Sequence, residues 1–122
     1  RIERSELRYE RHRTENAEII LVAYGSTARI VKNGIDLLST SEIRAGLIRP
    51  ITLWPFPHIA FAELPATCSK IMCVEMSCGQ MVDDVRLAVE GRVPVTFHGR
   101  SGGMIPAPAE IAEKVREELR RA

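Results

Sequence analysis

The run Ile19-Ile20-Leu21-Val22-Ala23 is apolar at every position rather than at every second one. A strand with one wet face alternates between apolar and polar residues. A continuous run must be covered above and below, which favours a central strand of a parallel sheet. Four segments read this way, at 18–24, 42–48, 70–76 and 93–97. Stripes of helical spacing lie between and after them: Ile30, Val31, Gly34, Ile35 and Leu38; then Met81, Val82, Val85, Ala88 and Val89; then Ile111, Val115 and Leu119. The segment 58–64 has room only for a short helix before Pro65. Doubly buried strands alternating with amphipathic helices predict an α/β fold, a three-layer α/β/α sandwich with a mainly parallel sheet.

The stretch Arg49-Pro50-Ile51-Thr52-Leu53-Trp54-Pro55-Phe56-Pro57 holds three prolines in nine residues. Proline donates no backbone hydrogen bond and breaks both helix and ladder. The second strand is therefore expected to end at Ile48 and pass into a stiff loop. That loop carries the only tryptophan, Trp54, together with Phe56. Loops at the carboxyl ends of such strands are where open α/β sheets place ligands and partners.

At 122 residues the chain has room for one domain with one core. A net charge of +1 gives no footprint for nucleic acid or for a membrane surface, and no apolar run approaches the ~20 residues of a spanning helix. Nine of the first fifteen residues are charged. Residues 1–17 thus read as a charged linker or solvated helix, 18–122 as the domain, and the whole as a piece of a longer protein. Cys68, Cys73 and Cys78 are spaced by five and contain no C-x-x-C pair. An odd count without a tight pair argues against a disulfide framework and a metal site, and points to a reducing, cytoplasmic setting.

Three junctions carry possible chemistry. Gly25-Ser26-Thr27 joins a strand to a helix amino terminus, whose free N–H groups suit an anion. Neither glycine-rich phosphate motif is present, so a turn with Ser26 or Thr27 as cap is the favoured reading. Glu75-Met76-Ser77-Cys78-Gly79-Gln80 is the equivalent junction after the third strand, and Glu75 ends an apolar run at the sheet rim. The loop His98-Gly99-Arg100-Ser101-Gly102-Gly103 offers one cation, Arg100, for an anion; it serves equally as a connection shaped against another domain. His12, His58 and His98 form no metal spacing, and no catalytic set assembles from sequence. The residues themselves suggest a binding or assembly domain. A freestanding anion- or nucleotide-binding module, built from Gly25-Ser26, Gly79-Gln80 and Arg100, is the alternative.

Taken in order, Ala23-Tyr24-Gly25-Ser26-Thr27-Ala28-Arg29, Gly46-Leu47-Ile48-Arg49-Pro50 with Leu53-Trp54-Pro55-Phe56-Pro57, Val74-Glu75-Met76 with Gly79-Gln80-Met81, and Gly99-Arg100-Ser101-Gly102-Gly103 with Pro106 and Pro108 resemble one family. It is the transketolase carboxyl-terminal-like domain of the α subunit of 2-oxoacid:ferredoxin oxidoreductases, of the 2-oxoisovalerate or 2-oxoglutarate type. Ser77 stands where that family usually has Asn. The resemblance implies spatial strand order 2-1-3-4, with the family's extra antiparallel strand absent or lying before residue 18. It implies an enzyme that decarboxylates a 2-oxoacid on thiamine diphosphate, passes electrons through iron–sulfur clusters to ferredoxin, and forms an acyl-coenzyme A. By the same resemblance this domain binds neither cofactor, contributes no catalytic residue, and packs against the amino-terminal domain of its subunit and the other subunits. Gly25, Ser26, Thr27, Arg49, Trp54, Phe56, Glu75, Ser77, Gly79, Gln80 and Arg100 are the candidate rim or interface residues.

Overall fold

The computed structural model describes residues 9–51, 57–62, 64–75, 80–99 and 107–120. Five strands form one sheet: β1 (Tyr9–His12), β2 (Ile19–Val22), β3 (Ala45–Pro50), β4 (Lys70–Glu75) and β5 (Val95–Gly99). Their spatial order is β1-β3-β2-β4-β5. Three α-helices complete the layers, α1 (Gly25–Leu38), α2 (Gln80–Val89) and α3 (Pro108–Arg120), with a 3-10 turn at His58–Phe61.

Every residue of β2 is buried. Its neighbours in sequence point to opposite faces. Ile20 and Val22 join Ile71 and Cys73 of β4 beneath Met81, Val82, Val85 and Val89 of α2, with Phe61 filling the same layer. Ile19 and Leu21 join Met72 and Val74 of β4 beneath Val31, Ile35 and Leu38 of α1 and Ile111, Ala112 and Val115 of α3. The continuous apolar runs are thus two alternating faces, each with its own helix layer. Helices α1 and α3 approach closely: a methyl group on Gly34 would lie 2.9 Å from both Ile111 Cβ and the Pro108 carbonyl.

The four parallel strands, β3-β2-β4-β5, take the order expected from the resemblance. Of the two alternatives left for the family's extra antiparallel strand, absent or lying before residue 18, the second holds. Within the stretch read above as a charged linker or solvated helix, β1 adds an antiparallel edge strand against β3, with Glu10 opposite Arg49 and Arg11 opposite Ile48. The charges that argued for solvation are used in pairing. Arg49 Nη1 donates to Glu10 Oε1 at 3.1 Å, and Arg11 Nη2 donates to the Ala60 carbonyl at 2.8 Å. This pairing also carries β3 past Ile48 to Pro50, which sits opposite Tyr9 at the last position of the ladder. Similarly β5 extends through His98 and Gly99, opposite Val74 and Glu75, so the loop expected at His98 starts later.

Because β1 and β2 lie on opposite sides of β3, the chain between them must cross that strand. It crosses over Gly46, where a Cβ would lie 2.6 Å from the Arg13 carbonyl oxygen and 2.8 Å from Thr14 Cα. Backbone cannot rotate out of such a contact as a side chain can. Gly46→Ala is therefore expected to lower the stability of the chain by about 1–3 kcal/mol and to strip hydrogen-exchange protection from the amides of β1 while β2 and β4 stay protected. Unchanged stability with β1 still protected would show that the crossing is not this tight.

Candidate functional site

At the carboxyl ends of the central strands the two helix amino termini are treated differently. Glu75 ends β4, is only 2% exposed, and turns back onto α2. Met81 N–H donates to its Oε1 and Val82 N–H to its Oε2, each at 3.1 Å. One carboxylate thereby satisfies two of the orphan amides of the helix and places negative charge at the positive end of its dipole. Burial raises the Glu75 pKa above the ordinary carboxylate value; the two amide hydrogen bonds pull it down, Asp83 and Asp84 push it up, and the net direction is upward. The rim carboxylate expected from sequence is a helix clamp.

The amino terminus of α1 has no such clamp. Tyr24 occupies the cap position in extended conformation and makes no side-chain cap hydrogen bond, and the first turn holds no acidic residue. Ser26 and Thr27, expected as caps, lie inside the helix instead. The chain turns one residue earlier, at Gly25 with φ of 64°, a left-handed conformation that glycine adopts at little cost. Thr27 is buried and Ser26 exposed.

A cleft of about 820 Å³ opens beside this terminus, between α1 and the β1–β3 edge. Gly25, Ser26 and Arg49 line it, so the structure brings three of the expected residues together. Arg29 and Lys32 of α1 and Glu10, Arg11 and His12 of β1 line it too. None of these five was singled out as a site residue from sequence. The available signal was the spacing of Arg29 and Lys32, three apart on a helix that opens with Gly25-Ser26. Gln80 opens α2. Trp54, Phe56, Ser77, Gly79 and Arg100 lie outside the described residues.

The two described thiols do not suit thiolate chemistry, and Cys78 lies outside the described residues. Cys68 and Cys73 are buried and free. Burial pushes Cys73 up to about 12, helped by the charge of Glu75, and raises Cys68 as well. Among the described residues no group of three His, Cys, Asp or Glu side chains is placed to hold a metal ion.

Removing Glu75 tests the clamp. Glu75→Ala leaves two buried N–H groups without an acceptor, and a loss of about 1–3 kcal/mol is expected. The pH dependence has a definite sign. With its folded pKa raised, Glu75 holds its proton in the folded chain at pH values where the unfolded chain has lost it, so charging costs stability as pH rises above the ordinary carboxylate range. Glu75→Gln cannot charge. Its stability deficit relative to the native chain should therefore shrink as pH rises through that window; a deficit that grows would mean the amides favour the carboxylate more than burial opposes it.

The comparisons with known proteins agree with this architecture. The sequence model described as "Pyruvate:ferredoxin oxidoreductase core domain II" matches residues 17–111. The chain is 41% identical over 116 residues to the ketoisovalerate oxidoreductase subunit VorB of Methanothermobacter marburgensis, covering 95% of this chain and 33% of that protein. It is 33% identical over 102 residues to the 2-oxoglutarate synthase subunit KorA of the same organism, covering 84% of this chain and 27% of that one. It thus spans about a third of the length of such relatives. In three dimensions it is similar to the 2-oxoglutarate:ferredoxin oxidoreductase from Magnetococcus marinus, with a TM-score of 0.80 at 24% identity over 92% of this chain and 20% of that chain. A split-gene transketolase gives 0.75 at 16% identity over 93% of this chain and 41% of that chain, so the transketolase-like sandwich is common to both. The chain belongs to the core domain II family of the 2-oxoacid:ferredoxin oxidoreductases.

Proposed function

We propose that the chain is the non-catalytic, transketolase carboxyl-terminal-like domain of the α subunit of a 2-oxoacid:ferredoxin oxidoreductase. The complete enzyme oxidatively decarboxylates 2-oxoisovalerate or a similar branched 2-oxoacid to its acyl-coenzyme A. The observation that carries this reading is the 41% identity to a ketoisovalerate oxidoreductase subunit along 95% of the chain, against 33% to a 2-oxoglutarate synthase subunit. Thiamine diphosphate, when bound elsewhere in the enzyme, supplies the carbanion-stabilising centre for decarboxylation. Iron–sulfur clusters, which need low-pKa thiolates, do not fit Cys68 or Cys73, whose thiols are buried and raised. No helix among the described residues is long and apolar enough to cross a membrane.

The domain's part in this reading is packing. Its partners are the amino-terminal domain of the same subunit and the other subunits; ferredoxin and coenzyme A engage the enzyme as a whole. Trp54 and Phe56, in a stretch that also holds Pro55 and Pro57, act as docking anchors, since proline limits the entropy lost on docking and buried aromatics dominate interfaces. The complete enzyme should reduce a low-potential acceptor with 2-oxoisovalerate and coenzyme A while this chain alone turns over nothing. Turnover by the isolated chain, or a complete enzyme inert towards every 2-oxoacid, overturns the reading. For the loop, Trp54→Ala should leave the melting temperature of the isolated chain nearly unchanged and weaken assembly of the enzyme. A fall in melting temperature with normal assembly would make Trp54 a core residue.

A further inference from the structure

The cleft beside α1 is unevenly charged. Four cationic side chains line it, Arg11, Arg29, Lys32 and Arg49, against the single carboxylate of Glu10. Arg11 is engaged elsewhere, donating to the Ala60 carbonyl and lying over the Tyr9 ring with its Cζ 5.6 Å from the centroid. The other three are less committed. Arg29 and Lys32 are exposed on successive turns of α1 and make no ion pair among the described residues. Arg49 gives one Nη to Glu10, and its Nε is buried with no acceptor among the described residues. Its side chain is 40% exposed, so the guanidinium can still meet an anion in the cleft. The uncapped amino terminus of α1, free of acidic residues in its first turn, adds dipole and free N–H groups on the adjoining wall.

We propose that this cleft binds the phosphoryl groups of a diphosphate-bearing ligand. Planar guanidinium and point-like ammonium donors set around one space suit tetrahedral phosphate oxygens. Arg29 and Lys32, unpaired among the described residues, and Arg49, paired only with the exposed Glu10, call for more than one negative charge, which a diphosphate supplies and a single carboxylate does not. Glu10 is then the internal competitor: it holds Arg49 in the empty cleft and repels the arriving anion. This site differs from one spanning both helix amino termini, because Glu75 already takes the amides of α2.

The test is titration of the labelled chain with inorganic pyrophosphate at constant ionic strength, followed by amide resonances. Pyrophosphate should shift Gly25 and Ser26 saturably, with a Kd below about 1 mM. The double variant Arg29→Gln with Lys32→Gln alters only exposed side chains and should weaken binding about ten-fold or more, as expected for the loss of two charge-assisted contacts. Glu10→Gln should tighten it. Adenosine diphosphate in a parallel titration separates the sources: affinity equal to pyrophosphate means that the diphosphate alone is read, and tighter binding means that the esterified group is read as well. Linear, unsaturating shifts, unchanged affinity in the double variant, or weaker binding after Glu10→Gln would each overturn the proposal.

Discussion

The double burial of β2 is the constraint on which the rest of the structure depends. Four consecutive residues with no wet face oblige the chain to supply a helix layer on each side and a parallel neighbour on each edge. β3 and β4 are those neighbours, both in register from Ile19 onward. Reaching both edges of one strand requires a connection from β2 to β3 through α1 on one face and a return from β3 to β4 through the segment with the 3-10 turn His58–Phe61, whose Ala60 and Phe61 pack on the opposite face. The amino termini of α1 and α2 then fall at the carboxyl edge of the sheet.

Much of this was legible in the residues. The apolar runs gave four strands, and the helical stripes gave three helices with nearly the observed faces. β1 was not legible, because Tyr9-Glu10-Arg11-His12 has the composition of a solvated segment. An edge strand gains its hydrogen bonds from one neighbour only, and its side chains can remain half exposed and charged. Only knowledge of β3 reveals that Glu10 meets Arg49 and that His12 reaches Asp36 of α1, at 3.2 Å. Missing β1 also hid the cleft, since one wall of it is β1. Glu118 was missed for a related reason. It sits on the buried stripe of α3, where a carboxylate contradicts the apolar pattern, and Lys70 Nζ donates to its backbone carbonyl at 2.6 Å and to Oε1 at 3.5 Å. A sequence pattern shows where apolar groups must go; it does not show which charge arrives from a strand 48 residues away.

The two ends of α2 show how local chemistry fixes a helix between distant elements. Glu75 clamps the amino terminus to the end of β4. At the carboxyl terminus Arg92 donates through Nε to the Val89 carbonyl at 2.7 Å and through Nη2 to the Phe61 carbonyl at 2.5 Å. A cation there satisfies carbonyls that the helix leaves open and complements the dipole. It also ties α2 to the 3-10 turn at His58–Phe61, whose Ala60 and Phe61 sit in the core.

The same contrast bears on how an anion can be accepted without unfolding anything. At α2 the negative charge is built into the chain, buried, and costly to move. At α1 no side chain caps the first turn, the neighbouring Arg29 and Lys32 are exposed, and the one opposing carboxylate, Glu10, is exposed. Filling the second site exchanges a weak surface ion pair, of the kind worth about 0–1 kcal/mol, for contacts with a multivalent anion. Filling the first would require expelling Glu75 from a nearly dry pocket. Of the amino termini of α1 and α2, only that of α1 is therefore left without a carboxylate of its own.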